Sequence, residues 1–140
     1  MRFWDSSAVV PLLVEQVPSA RVAAWVAEDE AMVLWTLTPI EVVSAVRRLV
    51  RDQALDEEVA HQAEARLDTL VRGCHQIIDI ESVKLLARRL LRLHALRAFD
   101  ALQLGAALSW AEGDPEGRTL HTLDTRLGIA ARREGFTVPS

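Results

Sequence analysis

Short apolar stretches alternate with longer helical segments along the whole chain, and this alternation constrains the fold more than any other feature. Stretches such as Arg2–Trp4 and Met32–Trp35 have the length of buried strands. The segments between them are longer and place apolar residues at helical spacing. Strands separated by helices predict an α/β domain with a parallel sheet. In such sheets ligands bind beyond the carboxyl ends of the strands, so residues that directly follow a strand are the first site candidates.

The individual elements are predicted as follows. Strands are expected over residues 2–4, 32–35, 76–79, 118–122 and 136–138. Helices are expected over residues 7–15, 19–28, 39–53, 56–72, 82–93, 98–112 and 125–133. Pro11 bends the first helix or falls in its first turn.

Length and composition predict one folded domain over residues 1–140. Half of the 140 residues are hydrophobic, which is enough to bury a core without crosslinks. The longest apolar run, Ala8–Val14, is far short of the roughly 20 residues that span a bilayer. The first residues do not resemble a signal peptide, and Cys74 has no cysteine to pair with. We expect a cytoplasmic protein without membrane contact.

The overall charge gives no bulk attraction to nucleic acid, because the chain carries a formal net charge of −4 and such binding relies on phosphate neutralisation. A local basic patch remains compatible with that balance. All basic residues except Lys84 are arginines, which bind phosphate through a two-pronged fork. The same bias also arises from a GC-rich genome, and both interpretations stay open.

Four acidic residues lie where solvated charge is not expected. Asp5 ends the first strand, and Asp124 follows the strand "RTLHT". Asp100 lies near the start of the apolar helix "LRAFDALQLGAAL", and Glu41 lies in the first turn of "TPIEVVSAV". If these strand ends and helix starts converge, four carboxylates share one pocket.

Each acid also has a simpler interpretation. The two strand-end aspartates would cap the helices that follow them. Glu41 fits a capping box with Thr38, in which proline takes the first helical position. Asp100, flanked by apolar residues, would need a partner such as Arg97.

Together the four carboxylates indicate a cation site. Like charges in one pocket repel and raise each other's pKa values, and a divalent cation removes that cost. Ligands that are all oxygen select hard ions, Mg²⁺ or Mn²⁺, over zinc. One or two such ions hold a phosphodiester and lower the pKa of an attacking water.

Four segments of this chain, in their order and spacing, resemble the PIN-domain family, and in particular the VapC-type toxins of toxin–antitoxin pairs. They are "FWDSSAVVPLLVEQ", "TPIEVVSAVRR", "LRAFDALQLGAAL" and "LHTLDTRLGIAARREGF". The resemblance extends from residue 3 to residue 138. It implies a three-layer α/β/α domain whose central, mainly parallel sheet has about five short strands.

The resemblance implies an endoribonuclease that uses Mg²⁺ or Mn²⁺. The family's catalytic and metal-binding acids match Asp5, Glu41, Asp100 and Asp124, and its supporting hydroxyls match Ser7 and Thr122. Gln103 stands where many members carry histidine. We add Arg97 and Arg126 as candidate phosphate contacts, because both lie close to the acids in sequence.

The partners that the resemblance implies are an RNA substrate, a cognate VapB-like antitoxin and a second copy of the chain in a homodimer. The antitoxins of such pairs often bring a basic side chain to the acids.

Three alternatives differ in their chemistry. A phosphatase-type phosphoryl-transfer domain would use Asp5 as its nucleophile, but it usually has a second aspartate two residues on, where this chain has Ser7. A phospho-acceptor receiver domain would have paired early acids and a late lysine. A non-catalytic PIN-like scaffold would bind RNA or protein without cutting, and only turnover distinguishes it from the nuclease.

Overall fold

Helices and strands alternate from one end of the chain to the other in the computed structural model, which describes residues 1–140. The four strands are β1 (Arg2–Trp4), β2 (Met32–Trp35), β3 (His75–Ile77) and β4 (Leu120–His121). The seven helices are α1 (Ser6–Leu13), α2 (Ser19–Glu28), α3 (Thr38–Arg51), α4 (Glu57–Arg72), α5 (Ile80–Leu93), α6 (Ala98–Trp110) and α7 (Thr125–Glu134). None of these helices combines the length and hydrophobicity needed to cross a bilayer.

The four strands form one parallel sheet in the order β3-β2-β1-β4. Every strand therefore directs its carboxyl end toward the same edge. Strand β1 lies in the interior of the sheet, paired to β2 on one side and to β4 on the other. The residues that follow β1, β2 and β4 are thus neighbours in space although they are far apart in sequence.

Strands β1 and β2 are mostly apolar because both faces of the sheet are covered. Phe3 and Val33 pack on one face against α5, α6 and α7. Trp4 and Leu34, the next residue of each strand, pack on the other face against α1 to α4. A sheet buried on both sides replaces alternation by continuous apolar runs, which confirms the predicted three-layer architecture.

The fifth predicted strand, residues 136–138, is wrong as a strand. Thr137 makes a single parallel bridge to Thr119. Its carbonyl oxygen accepts a hydrogen bond from Leu120 N, and its own N–H donates to Arg118 O. Pro139 follows two residues later and has no N–H to continue a ladder. The sheet consequently has four strands instead of about five.

His121, at the end of β4, is fully buried between two tryptophans. Its ring stacks on Trp25 with ring centroids 4.4 Å apart and lies 4.6 Å from the ring of Trp4. Arg2 Nη1 lies 3.4 Å from Nε2, and Nδ1 has no partner. Burial, and then the positive charge of Arg2, lower the pKa of His121 to about 4.

This pKa predicts an acid-sensitive contribution to stability. The unfolded chain protonates His121 near pH 6.5, whereas the folded protein holds it neutral down to about pH 4. The contribution is therefore complete above pH 6.5 and is lost as the pH falls toward 4. We expect His121→Phe to lose less unfolding free energy than the wild type between pH 7 and pH 5. Urea unfolding at both pH values tests this, and parallel losses in the two proteins would contradict it.

Candidate active site

The four acids singled out in the sequence all lie at the carboxyl edge of the sheet. Asp5 directly follows β1, and Asp124 follows β4 and precedes α7. Glu41 lies in the first turn of α3, the helix after β2, and Asp100 lies in the first turn of α6. The parallel sheet and the starts of two helices therefore bring acids from four parts of the sequence to one edge.

Asp5 is the most buried of the four, with 3 % of its surface exposed. Its Oδ2 accepts hydrogen bonds from Ser7 Oγ at 2.5 Å, Thr122 Oγ1 at 2.9 Å and Ser7 N at 3.2 Å. Its Oδ1 accepts only a long bond from Ser6 Oγ at 3.4 Å. Burial raises the pKa of Asp5 despite these bonds. One carboxylate oxygen is thus fully occupied, and the other has free acceptor capacity.

Glu41 is joined to Asp5 through a shared hydroxyl. Ser6 Oγ lies 2.9 Å from Glu41 Oε2 and also reaches Asp5. Gln103 donates to Glu41 Oε1 at 3.0 Å and to Thr38 Oγ1 at 3.0 Å. Burial raises the pKa of Glu41 to about 7, and the charges of Asp5 and Asp100 act in the same direction.

Asp100 lies between two cavities and borders both. One has a volume of about 460 Å³ and is also lined by Ser7, Glu41 and Arg48. The other has a volume of about 540 Å³, and Asp124 lies in its wall. Burial, and then the charges of Asp124 and Asp5, raise the pKa of Asp100. The acids thus form one electrostatically coupled group that is open to solvent on two sides.

Asp124 has two structural contacts that fix its position. Its Oδ1 accepts from Leu127 N at 2.8 Å and so caps α7. Its own N–H donates to Thr122 Oγ1 at 3.0 Å, and this hydroxyl also donates to Asp5. Thr122 therefore links two of the four acids.

Of the simpler interpretations of the four acids, helix capping holds for the two strand-end aspartates, and the capping box at Glu41 does not hold. Asp5 caps α1 and Asp124 caps α7, so the capping interpretation is confirmed for both. The capping box is wrong, because α3 begins at Thr38 and has no side-chain cap. Asp100 makes no salt bridge to Arg97, although a backbone hydrogen bond from that residue and its positive charge act on the carboxylate. Capping and site membership are thus compatible.

Two residues of the site carried no sequence signal strong enough to identify them. Ser6 joins two acids, and Gln103 is fully buried with its amide aimed at Glu41. Gln103 Oε1 has no partner. In the sequence, Gln103 stands out only because many family members carry histidine at that position. Arg97 and Arg126 line the larger cavity together with Asp100 and Asp124.

The donor set fits a hard divalent cation, although the side chains do not form a closed cage. Carboxylates and hydroxyls supply only oxygen atoms, which Mg²⁺ and Mn²⁺ prefer. The raised pKa values of three acids reflect burial and mutual repulsion that a cation would relieve. No three acidic, histidine or cysteine side chains are grouped closely enough to hold one ion as they stand. Binding would therefore require small movements of the side chains or water molecules between acid and ion.

Three solved structures share the fold of this chain. FitAcB from Neisseria gonorrhoeae superposes with a TM-score of 0.68, at 20% identity, over 100% of this chain and 97% of that chain. The structure of FitAB bound to an IR36 DNA fragment superposes with a TM-score of 0.65, at 19% identity, over 99% of this chain and 94% of that chain. PAE2754 from Pyrobaculum aerophilum superposes with a TM-score of 0.62, at 21% identity, over 98% of this chain and 87% of that chain.

Two curated sequences show the family. No protein-family model matches the chain. Ribonuclease VapC45 of Mycobacterium tuberculosis (strain CDC 1551 / Oshkosh) is 32% identical over 137 residues, which are 97% of this chain and 92% of the relative. Ribonuclease VapC49 of Mycobacterium tuberculosis (strain ATCC 25618 / H37Rv) matches with the same values. With identity at this level over nearly the full length of both chains, this protein belongs to the VapC-type family of PIN-domain ribonucleases.

Proposed function

We propose that this protein is a metal-dependent endoribonuclease, the toxin of a toxin–antitoxin pair, and that residues 1–140 form a single PIN domain. Its relatives VapC45 and VapC49 are named ribonucleases. The observation that carries the proposal is the environment of Asp5. This carboxylate is buried, has three hydrogen bonds on Oδ2 and retains a nearly free Oδ1 beside the other acids. A buried carboxylate with a free oxygen lowers the stability of the fold but offers a ligand to a cation.

In this proposal Asp5, Glu41, Asp100 and Asp124 hold Mg²⁺ or Mn²⁺. A bound ion of this kind supplies positive charge to the scissile phosphate and makes an attacking water more acidic. The protein contributes position. Ser7 and Thr122 fix Asp5 through Oδ2, so that Oδ1 is the oxygen left for the ion.

The remaining polar groups orient the acids and the substrate. Ser6 and Gln103 each occupy one oxygen of Glu41 and thereby set the plane of its carboxylate. Arg97 and Arg126 line the same cavity as two of the acids. Their guanidinium groups would hold the phosphates of the RNA in the bidentate manner typical of arginine.

We also propose that the protein forms a homodimer and is inhibited by a small antitoxin. Large apolar side chains next to the acids support an interface there, because Ile40 and Phe99 are 67 % and 58 % exposed. A basic side chain from an antitoxin would be attracted to the negative cavity. Light scattering of the purified protein tests the dimer, which we expect at twice the 15.6 kDa chain mass. A particle with the mass of one chain would contradict it.

The nuclease is tested by cleavage of single-stranded RNA with Mg²⁺, with Mn²⁺ and with EDTA. We expect cleavage only with metal. Asp5→Asn and Asp100→Asn should each lower kcat/KM by about 100-fold or more, as loss of a group that stabilises transition-state charge typically does. Asp68→Asn, an exposed acid on α4, is the matched control and should cleave normally.

The outcomes of this assay separate the remaining candidates. Cleavage that survives both active-site substitutions would assign the activity to another site or a contaminant. A folded wild-type protein that cuts no RNA with either metal would favour the non-catalytic scaffold.

A stability measurement tests the metal site without relying on activity. Glu41 has a raised pKa of about 7, so the stability it contributes is complete below its unfolded pKa near 4.5 and is lost as the pH rises through 7. Without metal at pH 8, Glu41→Gln should therefore be more stable than the wild type. The difference should shrink at pH 5.

Adding Mn²⁺ should reverse this order. At a concentration 100 times its Kd, a ligand stabilises the native state by about 2.7 kcal/mol, and the variant that lacks one carboxylate should gain less. Thermal unfolding with EDTA and with Mn²⁺ measures both effects. Glu30→Gln, which replaces an exposed acid without hydrogen bonds, is the control. Equal metal-induced shifts in the wild type and Glu41→Gln would contradict Glu41 as a ligand.

A further inference from the structure

A small pocket between α7 and the α5–α6 connection lies outside the acid site. It has a volume of about 210 Å³ and is lined by His94, Ala95, Arg126, Ile129, Ala130 and Arg133. We call it the His94 pocket. Arg126 also lines the 540 Å³ cavity that contains Asp100 and Asp124. The His94 pocket is therefore next to the acid site, and one arginine borders both.

The two arginines of the His94 pocket have no acidic partner. Arg126 and Arg133 are exposed and neither takes part in a salt bridge. They are seven residues apart on α7, which places them on the same face about 10.5 Å apart along the helix axis. The pocket thus presents two uncompensated positive charges on a chain whose net charge is −4.

Glu134, which follows Arg133 in the sequence, is already engaged. Its Oε1 lies 2.6 Å from Arg89 Nη2, and its Oε2 lies 2.8 Å from His94 Nε2. Burial alone would raise the pKa of Glu134, but the hydrogen bonds from Arg89 and His94 outweigh it and the pKa is lowered. Glu134 is therefore a fixed anion whose charge is satisfied by two groups other than Arg126 and Arg133.

His94 forms one wall of the pocket and is fixed in place by Glu134. Its side chain is only 7 % exposed, and because Glu134 accepts from Nε2, the ring is held in one orientation. With its proton on Nε2, the ring presents an acceptor at Nδ1 and donates no hydrogen bond to an anion. The positive charge that would hold an anion in this pocket therefore comes from Arg126 and Arg133 alone.

We propose that the His94 pocket binds a backbone phosphate of the RNA strand next to the cleaved bond, with Arg126 and Arg133 as its ligands. Guanidinium forks match the oxygens of a phosphate and remain charged at all physiological pH values. RNA needs such a contact here because the acids repel its backbone until a cation is bound. This inference rests on the proposed nuclease function and specifies how its substrate is held.

The test is the salt dependence of RNA binding, measured by fluorescence anisotropy with a short labelled single-stranded RNA. EDTA is present, so that binding is read without cleavage. The logarithm of the binding constant falls linearly with the logarithm of the salt concentration, with a slope of about 0.7 for each phosphate that is neutralised on a single strand. Arg133→Gln and Arg126→Gln should each bind more weakly than the wild type and show a smaller slope. The double variant, which loses the whole contact to one phosphate, should have a slope reduced by about 0.7.

Arg72→Gln is the matched control. Like Arg133, Arg72 is an exposed arginine in the last turn of a helix and forms no salt bridge. The Arg72→Gln substitution removes the same charge on α4, which packs on the other face of the sheet from α7. The salt dependence of RNA binding by this variant should therefore have the same slope as that of the wild type. Inorganic phosphate, added as a competitor to the wild type at constant ionic strength, distinguishes a free anion from the RNA backbone as the natural occupant.

Each outcome bears on the inference. A slope that falls in Arg133→Gln but not in Arg72→Gln supports it. Equal slopes in these two variants, or no RNA binding by the wild type, overturn it. Phosphate competition combined with equal slopes would assign the pocket to a free phosphate and also overturn it. Failure of the nuclease proposal is detected separately, by RNA that binds with the expected slopes but is not cut when Mg²⁺ is added.

Discussion

The buried carboxylate of Asp5 is the constraint on which the rest of the site depends. It connects three parts of the chain, because β1 ends at it, α1 begins on it and Thr122, after β4, donates to it. A buried charge of this kind is costly unless it is fully hydrogen-bonded or paired with a cation. The three bonds to Oδ2 offset part of that cost, and Oδ1 is left with a single long contact. The fold therefore holds a group that it does not fully stabilise.

The charges of the other acids add to the cost of ionising each carboxyl group, and the helix dipoles lower that cost in part. Glu41 and Asp100 occupy the first turns of α3 and α6, where the positive end of the helix dipole favours negative charge. Even so, burial and mutual repulsion raise the pKa values of both. The parallel sheet explains why they meet. Since all four strands end at one edge, the acids that follow β1 and β4 and the acid in the first turn after β2 lie at that same edge.

The sequence was most informative where position along a strand decides the outcome. The acid after β1 and the acid after β4 could be placed at one edge from the strand–helix alternation alone. Position in the first turn of a helix identified Glu41 and Asp100 in the same way. The links between the acids were not predictable, because Ser6 and Gln103 reach Glu41 across tertiary contacts between helices far apart in sequence. The capping box failed for the same reason, since Thr38 accepts a hydrogen bond from Gln103 and not from its own helix.

Helix α7 carries both an acid of the candidate active site and two exposed arginines. Asp124 caps its first turn, and Arg126 and Arg133 follow on its exposed side. A helix is rigid over this length, so the separation along the axis between Asp124 and the two arginines is set by the rise of 1.5 Å per residue. The N-terminal end of α7 carries Asp124, one of the proposed metal ligands, and Arg126 and Arg133 line the pocket in which we propose a phosphate. In the proposed complex, an RNA strand along this helix would have phosphates neutralised by arginine beside the acids, where neutralisation would require a bound metal. The arginines on α7 would thereby offset the repulsion between the acids and the RNA backbone.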